Sequence, residues 1–164
     1  MPFTDDGVYS IRNVGRNLML DLTGNSTSEG TQIQGYPPNG TMAQQWVIKR
    51  QNEPGSPNKT VTIQTSNSGN NGNGCFATAS EDSDVPVVYT KQAFIIELVA
   101  RKDNTYTMHY TLGSSDLVLS IPSSSNSAPF AHHVRHKVKI ENHDSGTSRQ
   151  QWELTRLSNL APIV

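Results

Sequence analysis

The chain has 164 residues, 34% of them hydrophobic, and its 13 Lys and Arg residues nearly balance its 14 Asp and Glu residues. A nucleic acid or an anionic membrane surface as the main partner would require a strong basic excess, which this chain lacks. The length is sufficient for one domain with its own hydrophobic core. Apolar residues in short alternating runs favour a loop-rich β protein over a disordered chain.

The first six residues, Met-Pro-Phe-Thr-Asp-Asp, have neither the basic region nor the apolar stretch of a signal peptide. No run in the sequence approaches the roughly 18 apolar residues of a membrane span, so we expect no membrane insertion. Cys75 is the single cysteine, so no intramolecular disulfide forms. These features predict a protein that is cytoplasmic or secreted by a non-classical route.

Four short strands are predicted near the start of the chain, at residues 8–13, 18–22, 32–36 and 45–48. Apolar and polar residues alternate within them, and Gly, Pro, Asn and Ser lie between them, which is the pattern of strands and turns. The same order of strands returns in a second unit and in a third. Their predicted strands cover residues 61–65, 75–78, 85–89, 94–99, 106–110, 117–121, 138–140 and 152–154.

The fourth strand of each unit is marked by a glutamine, a spacer and an aromatic residue. The motif is Gln-Gln-Trp at 44–46, Gln-Ala-Phe at 92–94 and Gln-Gln-Trp at 150–152. We expect the aromatic side chains in the core and expect the glutamines, if buried, to bond to loop backbone. Such repetition indicates a fold built from copies of one unit. The sequence therefore predicts an all-β fold, a β-trefoil of twelve strands in three four-strand repeats.

The repeats also predict the domain organisation. We expect a single β-trefoil domain over residues 1–164, with repeats at about 7–56, 57–104 and 105–157 and a C-terminal tail at 158–164. Residues 66–74 lack apolar side chains and are predicted to form a surface loop. Residues 122–136 are interpreted as an insertion in the third repeat, which explains why the second and third aromatic residues are further apart than the first two.

The first repeat carries a family resemblance, through Leu-Asp-Leu-Thr-Gly at 20–24, Gly-Thr-Gln-Ile-Gln-Gly-Tyr at 30–36 and the first motif. The chain resembles ricin-B-type β-trefoil lectins, of the small, cysteine-poor fungal kind found in mushrooms, over residues 7–156. Residues 85–88 and the apolar strand after them also resemble two related mushroom groups. These are fucose- or chitobiose-type lectins and the mycocypin-like trefoil inhibitors of cysteine and serine proteases.

A shallow sugar site needs one flat aromatic side chain for the C–H face of the ring and several planar polar groups for its hydroxyls. The resemblance implies that Asp21 is the acid that accepts from hydroxyls and Gly24 the turn glycine. It implies further that Tyr36 stacks on the sugar and that Gln44 is the motif glutamine. Asp21 has an alternative role as a cap of the turn that follows it, and Tyr36 has one in turn packing.

One position departs from the family pattern. Ala43 stands where the family has an Asn that contacts a hydroxyl. Losing such a hydrogen bond costs on the order of 1 kcal/mol, about fivefold in affinity. Asn39 lies in the same loop and is a candidate to compensate. The expected partners are glycans or glycoproteins with terminal galactose or GalNAc, and because mushroom lectins are often homodimers, a homodimer is the expected assembly.

The other repeats depart further from the pattern. The second has Thr-Ala-Ser at 78–80 in place of the acid, although Tyr89 is available for stacking. The third has Ser120 where the acid would fall and Arg149 in place of the Asn, with Asn142 and His143 in the stacking region. We therefore expect one principal site, in the first repeat, and keep the third repeat as an alternative.

No catalytic residue, cofactor or metal site is predicted. The sequence contains no G-x-S-x-G, phosphate loop or C-x-x-C motif, and Cys75 is interpreted as a packing residue. His132 and His136 would suit a metal on a helix, but along a strand they would be about 13 Å apart. A solvated basic edge is the simpler interpretation of these histidines.

A protease inhibitor is the alternative function. A rigid trefoil would then present one exposed loop to an enzyme cleft, and loop pre-organisation would supply the binding energy. The candidate loops are residues 25–30, 66–74 and 122–133. The lectin is favoured, because an inhibitor has no reason to keep Asp21, Tyr36 and Gln44 together.

Overall fold

The computed structural model describes residues 6–26, 28–51, 59–66, 74–80, 83–89, 93–101, 105–112, 115–121, 136–144 and 147–159. Several predicted features lie outside these ranges. They include Gln92, His132, most of the 66–74 loop, nearly all of the 122–136 insertion and the end of the C-terminal tail.

The described chain is built from β-strands joined by turns and short 3-10 turns. The strands are β1 (Gly7–Asn13), β2 (Leu18–Leu22), β3 (Ile33–Tyr36), β4 (Trp46–Arg50), β5 (Lys59–Thr65), β6 (Phe76–Ser80), β7 (Ser83–Tyr89), β8 (Ile96–Ala100), β9 (Thr105–Leu112), β10 (Ser115–Ser120), β11 (His136–Lys137), β12 (Lys139–Asn142) and β13 (Trp152–Ser158). None of the helices in the described part of the chain is long and apolar enough to cross a membrane.

Six strands close into a barrel. Strand β1 pairs with β4 and β13, β4 with β5, β5 with β8, β8 with β9, and β9 with β13, all antiparallel. Closure leaves these strands without a free sheet edge. The first and fourth strands of each predicted unit supply the barrel.

Three hairpins lie outside the barrel, one from each unit: β2 with β3, β6 with β7, and β10 with β12. Strand β11 is a two-residue piece that pairs with β3 of the first unit. Only Val138, which is fully buried, separates β11 from β12. The thirteen strands are therefore the twelve of the trefoil, with the third strand of the last unit divided, and the predicted β-trefoil is confirmed.

The motif tryptophans connect the hairpins to the barrel. Trp46 and Trp152 are fully buried. Their Nε1 groups donate to the carbonyl oxygens of Leu20 and Leu119, at 2.9 and 3.0 Å. Their predicted core position is confirmed, and the paired indole N–H satisfies a polar group that burial would otherwise leave without a partner. Phe94 is only partly buried and packs against the core.

The single cysteine is part of the same packing. Cys75 is buried in the hydrophobic core, and its backbone N–H donates to Thr65 Oγ1 at 2.9 Å. The interpretation of this residue as a packing residue agrees with its position.

Candidate functional site

A pocket of about 360 Å³ lies at the β2–β3 hairpin of the first repeat. Nine residues line it: Asp21, Leu22, Gly24, Asn25, Gln34, Tyr36, Asn39, Thr41 and Ala43. Four of the five predicted site residues are among them. The fifth, Gln44, lies beneath the pocket and supports it.

Asp21 is the acidic group of the pocket. It lies near the end of β2, is only 4% exposed, and pairs with Gln34 of β3. Its Oδ1 accepts from Gln34 Nε2 and its Oδ2 from Gln44 Nε2, both at 2.9 Å. Two neutral amides thus bond to a buried carboxylate, and no cation faces it among the described residues. Because each carboxylate oxygen has a second acceptor position, Asp21 can still receive hydrogen bonds from a ligand.

Gln44 holds the acid and the next loop together. Its Nε2 donates to the Pro37 carbonyl oxygen as well as to Asp21, and its Oε1 accepts from the Asn39 backbone N–H at 3.0 Å. Both amide hydrogens and the oxygen are therefore used within the protein. Gln44 positions the pocket wall, as expected for a buried amide that bonds to loop backbone.

Gln34 is a pocket residue that sequence reasoning missed. It is 8% exposed and lines the pocket beside Asp21. Its Nε2 bonds to Asp21, whereas its Oε1 has no hydrogen-bond partner among the described residues. No signal within its own strand marked this role, because the role depends on the hairpin register, which places Gln34 opposite the acid on the same face.

Asn39 and Tyr36 form another side of the pocket. Asn39 Oδ1 accepts from the Thr41 backbone N–H and from Thr41 Oγ1, at 3.0 and 2.8 Å. Its oxygen is thus committed to the loop, and its Nδ2 is the group left for a ligand. Tyr36, at the end of β3, is half-buried and lines the pocket. This position suits the stacking role.

The turn after β2 closes the pocket without help from Asp21. Gly24 and Asn25 adopt φ values of 63° and 52°, a conformation that Gly and Asn tolerate best. Ser26 N–H donates to the Thr23 carbonyl oxygen at 3.3 Å. Within the described chain the Asp21 carboxylate bonds only to the two glutamines, so the alternative in which it caps this turn is wrong.

Ala43 lies in the 3-10 turn Met42–Gln44, is 8% exposed, and lines the pocket. Its methyl group offers no hydrogen bond at this point of the wall. The pocket lining therefore combines one carboxylate, three amides, a threonine and a tyrosine with the apolar residues Ala43 and Leu22.

A family model described as ricin-type beta-trefoil lectin domain-like matches residues 3–87, just over half of the chain. The chain belongs to this family. The ricin-B resemblance is thus confirmed, whereas the likeness to mycocypin-like inhibitors stays a prediction.

Three solved structures share the fold of this lectin-like chain. The Rhizoctonia solani agglutinin is 26% identical, with 96% of this chain and 100% of that chain covered and a TM-score of 0.70. The Macrolepiota procera ricin B-like lectin, in complex with lactose, is 16% identical, with 96% and 100% covered and a TM-score of 0.69. The Polyporus squamosus lectin, bound to the epitope Neu5Aca2-6Galb1-4GlcNAc, is 13% identical, with 94% and 50% covered and a TM-score of 0.65. No curated protein sequence matches the chain significantly.

Among the described residues of the second repeat of this lectin-like domain, an aromatic residue is kept at the position of Tyr36, while the positions of Asp21 and Gln34 differ. Thr78 pairs with Val87, and Phe76 with Tyr89, in the same register as the pairs of the β2–β3 hairpin. Thr78 and Val87 thus replace the acid and the amide, whereas Tyr89 corresponds to Tyr36. The Thr78 hydroxyl donates to the Val87 carbonyl oxygen at 3.1 Å.

In the third repeat the structure corrects one prediction. Val118 pairs with Glu141, as Met19 pairs with Tyr36 in the first repeat. Glu141 therefore occupies the stacking position. The assignment of this region to Asn142 and His143 was wrong, because they lie one and two residues further along the chain.

The histidines give no metal site in the described part of the chain. His109 is buried on β9, with Nε2 2.9 Å from Thr107 Oγ1, and its ring contacts that of His143 edge-on at 5.7 Å between centroids. No group of three or more His, Cys, Asp and Glu residues able to hold a metal ion occurs among the described residues.

Proposed function

We propose that the protein is a carbohydrate-binding lectin that recognises galactose- or GalNAc-type glycans through the pocket of the first repeat. The observation that carries this proposal is the Asp21 carboxylate. It is buried, fixed by two amides and lines an open pocket beside a tyrosine. A membership in a lectin-like family supports binding without catalysis.

The free polar groups of the pocket suit a ring of hydroxyls. The second acceptor positions of Asp21 and the Oε1 of Gln34 receive hydrogen bonds, while Asn39 Nδ2 donates. Tyr36 supplies an aromatic face for the C–H groups of a sugar ring. Because Gln44 already holds the acid and the loop, little ordering remains to be done when the ligand binds.

Galactose is the first sugar to test. The Macrolepiota procera lectin was solved with lactose, and the ligand of the Polyporus squamosus lectin contains a galactose unit. Both are distant relatives, so they support the choice of probe and leave specificity to the experiment. Because Ala43 stands in place of the family Asn, we expect a sugar affinity about fivefold lower than that of a site that carries the Asn.

A glycan-array screen of the purified protein, with lactose and GalNAc as soluble competitors, tests the proposal. Binding to arrayed galactosides that soluble lactose or GalNAc displaces supports a lectin of this specificity. A silent array, or binding that neither sugar displaces, contradicts the proposed specificity.

Protease inhibition through the loop at residues 25–30 is the second candidate. Gly30 N–H donates to the Val88 carbonyl oxygen at 2.8 Å, and Val88 N–H donates to the Thr31 carbonyl oxygen at 3.1 Å. This pairing with β7 anchors one end of the loop, and Ser28 and Glu29 are exposed. Anchoring favours a pre-organised loop. Titration against a panel of serine and cysteine proteases tests it, and no inhibition at micromolar protein would exclude it.

A further inference from the structure

The third repeat repeats the hydrogen bonds that hold the pocket of the first. Gln150 Nε2 donates to the Asn142 carbonyl oxygen at 2.9 Å, and Gln150 Oε1 accepts from the Asp144 N–H at 2.8 Å. Gln44 makes the same two bonds to its own loop. The two glutamines therefore hold equivalent loops, and the side chains around them can be compared position by position.

The acid that meets the glutamine comes from a different strand in the third repeat. Gln150 Nε2 donates to Glu141 Oε1 at 3.1 Å, just as Gln44 donates to Asp21. Glu141 lies on β12, at the position of the stacking tyrosine, while buried Ser120 stands at the position of Asp21. One side chain thus replaces both the acid and the aromatic face.

Arg149 neutralises this carboxylate. It occupies the position of Ala43, and its Nη2 lies 3.1 Å from Glu141 Oε1, with both side chains about two-thirds buried. Partial burial by itself raises the pKa of Glu141, but the facing Ser120 hydroxyl, the Gln150 amide and the Arg149 charge together lower it. The acid is therefore ionised and paired at neutral pH, and a neutral sugar would have to separate two partly buried charges.

We propose that each chain has a single carbohydrate site, in the first repeat, because the Glu141–Arg149 ion pair closes the equivalent position of the third. This inference rests on the proposed function. The second repeat offers no carboxylate at the equivalent place, since Thr78 and Val87 stand there. A chain with one site cannot cross-link glycans by itself, so agglutination would require a dimer of the lectin.

The stoichiometry of lactose binding, measured by equilibrium dialysis up to saturation, tests the inference. The expected result is one lactose per wild-type chain, none for Asp21→Ala, and one for Arg149→Ala and for Glu141→Gln. Two lactose molecules per wild-type chain, or one retained by Asp21→Ala, would overturn the inference and leave lectin function standing. No lactose bound to the wild-type chain would instead contradict the proposed galactose specificity, and the single-site inference would fall with it.

A transfer of the first-repeat side chains gives a second test. The combination Ser120→Asp, Lys139→Gln, Glu141→Tyr and Arg149→Ala, introduced into the Asp21→Ala variant, rebuilds the pocket pattern in the third repeat. If these side chains close the site, the folded variant regains one lactose per chain. If the combined variant has a native circular dichroism spectrum but binds no lactose, these side chains do not close the site. If the combined variant does not fold, the lactose stoichiometry of the wild-type chain tests the inference.

Discussion

Gln44 Nε2 donates a hydrogen bond of 2.9 Å to Asp21 Oδ2, and so joins the motif of the fourth strand to the acid of the second. The indole of Trp46, two residues further on, bonds to the Leu20 carbonyl oxygen beside that acid. One short motif therefore fixes the hairpin to the core with its tryptophan and orients the acid with its glutamine. The packing of the hairpin and the geometry of the pocket therefore both depend on the motif at 44–46.

Gln34 is expected to act on both binding and stability. Gln34→Ala removes an amide donor from Asp21 and an acceptor from the pocket, so lactose affinity should fall by roughly five- to tenfold. The free energy of unfolding should fall by about 1–2 kcal/mol, because the carboxylate loses one of its two bonds. Isothermal titration and urea unfolding measure these changes. Gln151→Ala, at the spacer of the third motif and outside the pocket, is the matched control and should leave affinity unchanged.

Tyr36 should contribute through its ring and little through its hydroxyl. Tyr36→Ala is expected to weaken lactose binding by about 1 kcal/mol, roughly fivefold. Tyr36→Phe should remain within about twofold of the wild type, because the hydroxyl has no partner among the described residues. Tyr89→Ala changes the equivalent residue of the second repeat and should not alter affinity. An equal loss in the Tyr36 and Tyr89 alanine variants, measured by titration, would speak against stacking in the first repeat.

Ala43 sets the strength of the proposed site. Ala43→Asn adds a side chain able to reach a hydroxyl and should raise lactose affinity by about fivefold. Ala43→Leu adds bulk without hydrogen bonding and should lower it. Titration of both variants, with melting temperature as the check on folding, measures the effect. If neither variant changes the lactose affinity, this wall of the pocket does not contact the sugar.

The Glu141–Arg149 ion pair should make a pH-dependent contribution to stability. Because the pKa of Glu141 is lowered in the folded protein, the contribution is present above the ordinary glutamate pKa of about 4.3. It is lost as the pH falls through the lowered folded value. Thermal melts between pH 7 and pH 3 should therefore show Glu141→Gln less stable than the wild type at neutral pH, by a difference that shrinks as the pH falls below the ordinary glutamate value. The effect should be small, because the pair is partly exposed, and a constant difference across this range would contradict it.

The fold could be predicted from the sequence because its determinants are local and repeated. Alternating residues define the strands, and the motif at 44–46 and 150–152 marks the same structural position in two repeats. The third strand of the last unit is divided at Val138 into β11 and β12. This division could not be predicted, because it depends on the pairing of β11 with β3, which is far away in the chain.

The first-repeat site could be predicted because the family resemblance points to its residues directly in the sequence. Asp21 and Tyr36 were predicted in this way, and both line the pocket. Gln34 and Glu141 were missed, because their roles depend on hairpin register. In the third repeat residues 121–138 separate β10 from β12 along the sequence, so the register between these two strands could not be predicted and the stacking position was misplaced.

The affinity of Asp21→Ala for lactose, compared with that of Asp144→Ala by titration, tests the first-repeat site most directly. Asp144 is exposed, and its side chain makes no hydrogen bond among the described residues, so the same change there controls for charge. Asp21→Ala should bind at least tenfold more weakly, since the carboxyl acceptor of the pocket is lost. Its free energy of unfolding should also fall by about 1–3 kcal/mol, because Gln34 and Gln44 lose a hydrogen-bond partner. Unchanged affinity in the folded Asp21→Ala protein, or an equal loss in Asp144→Ala, would contradict a sugar site in the first repeat.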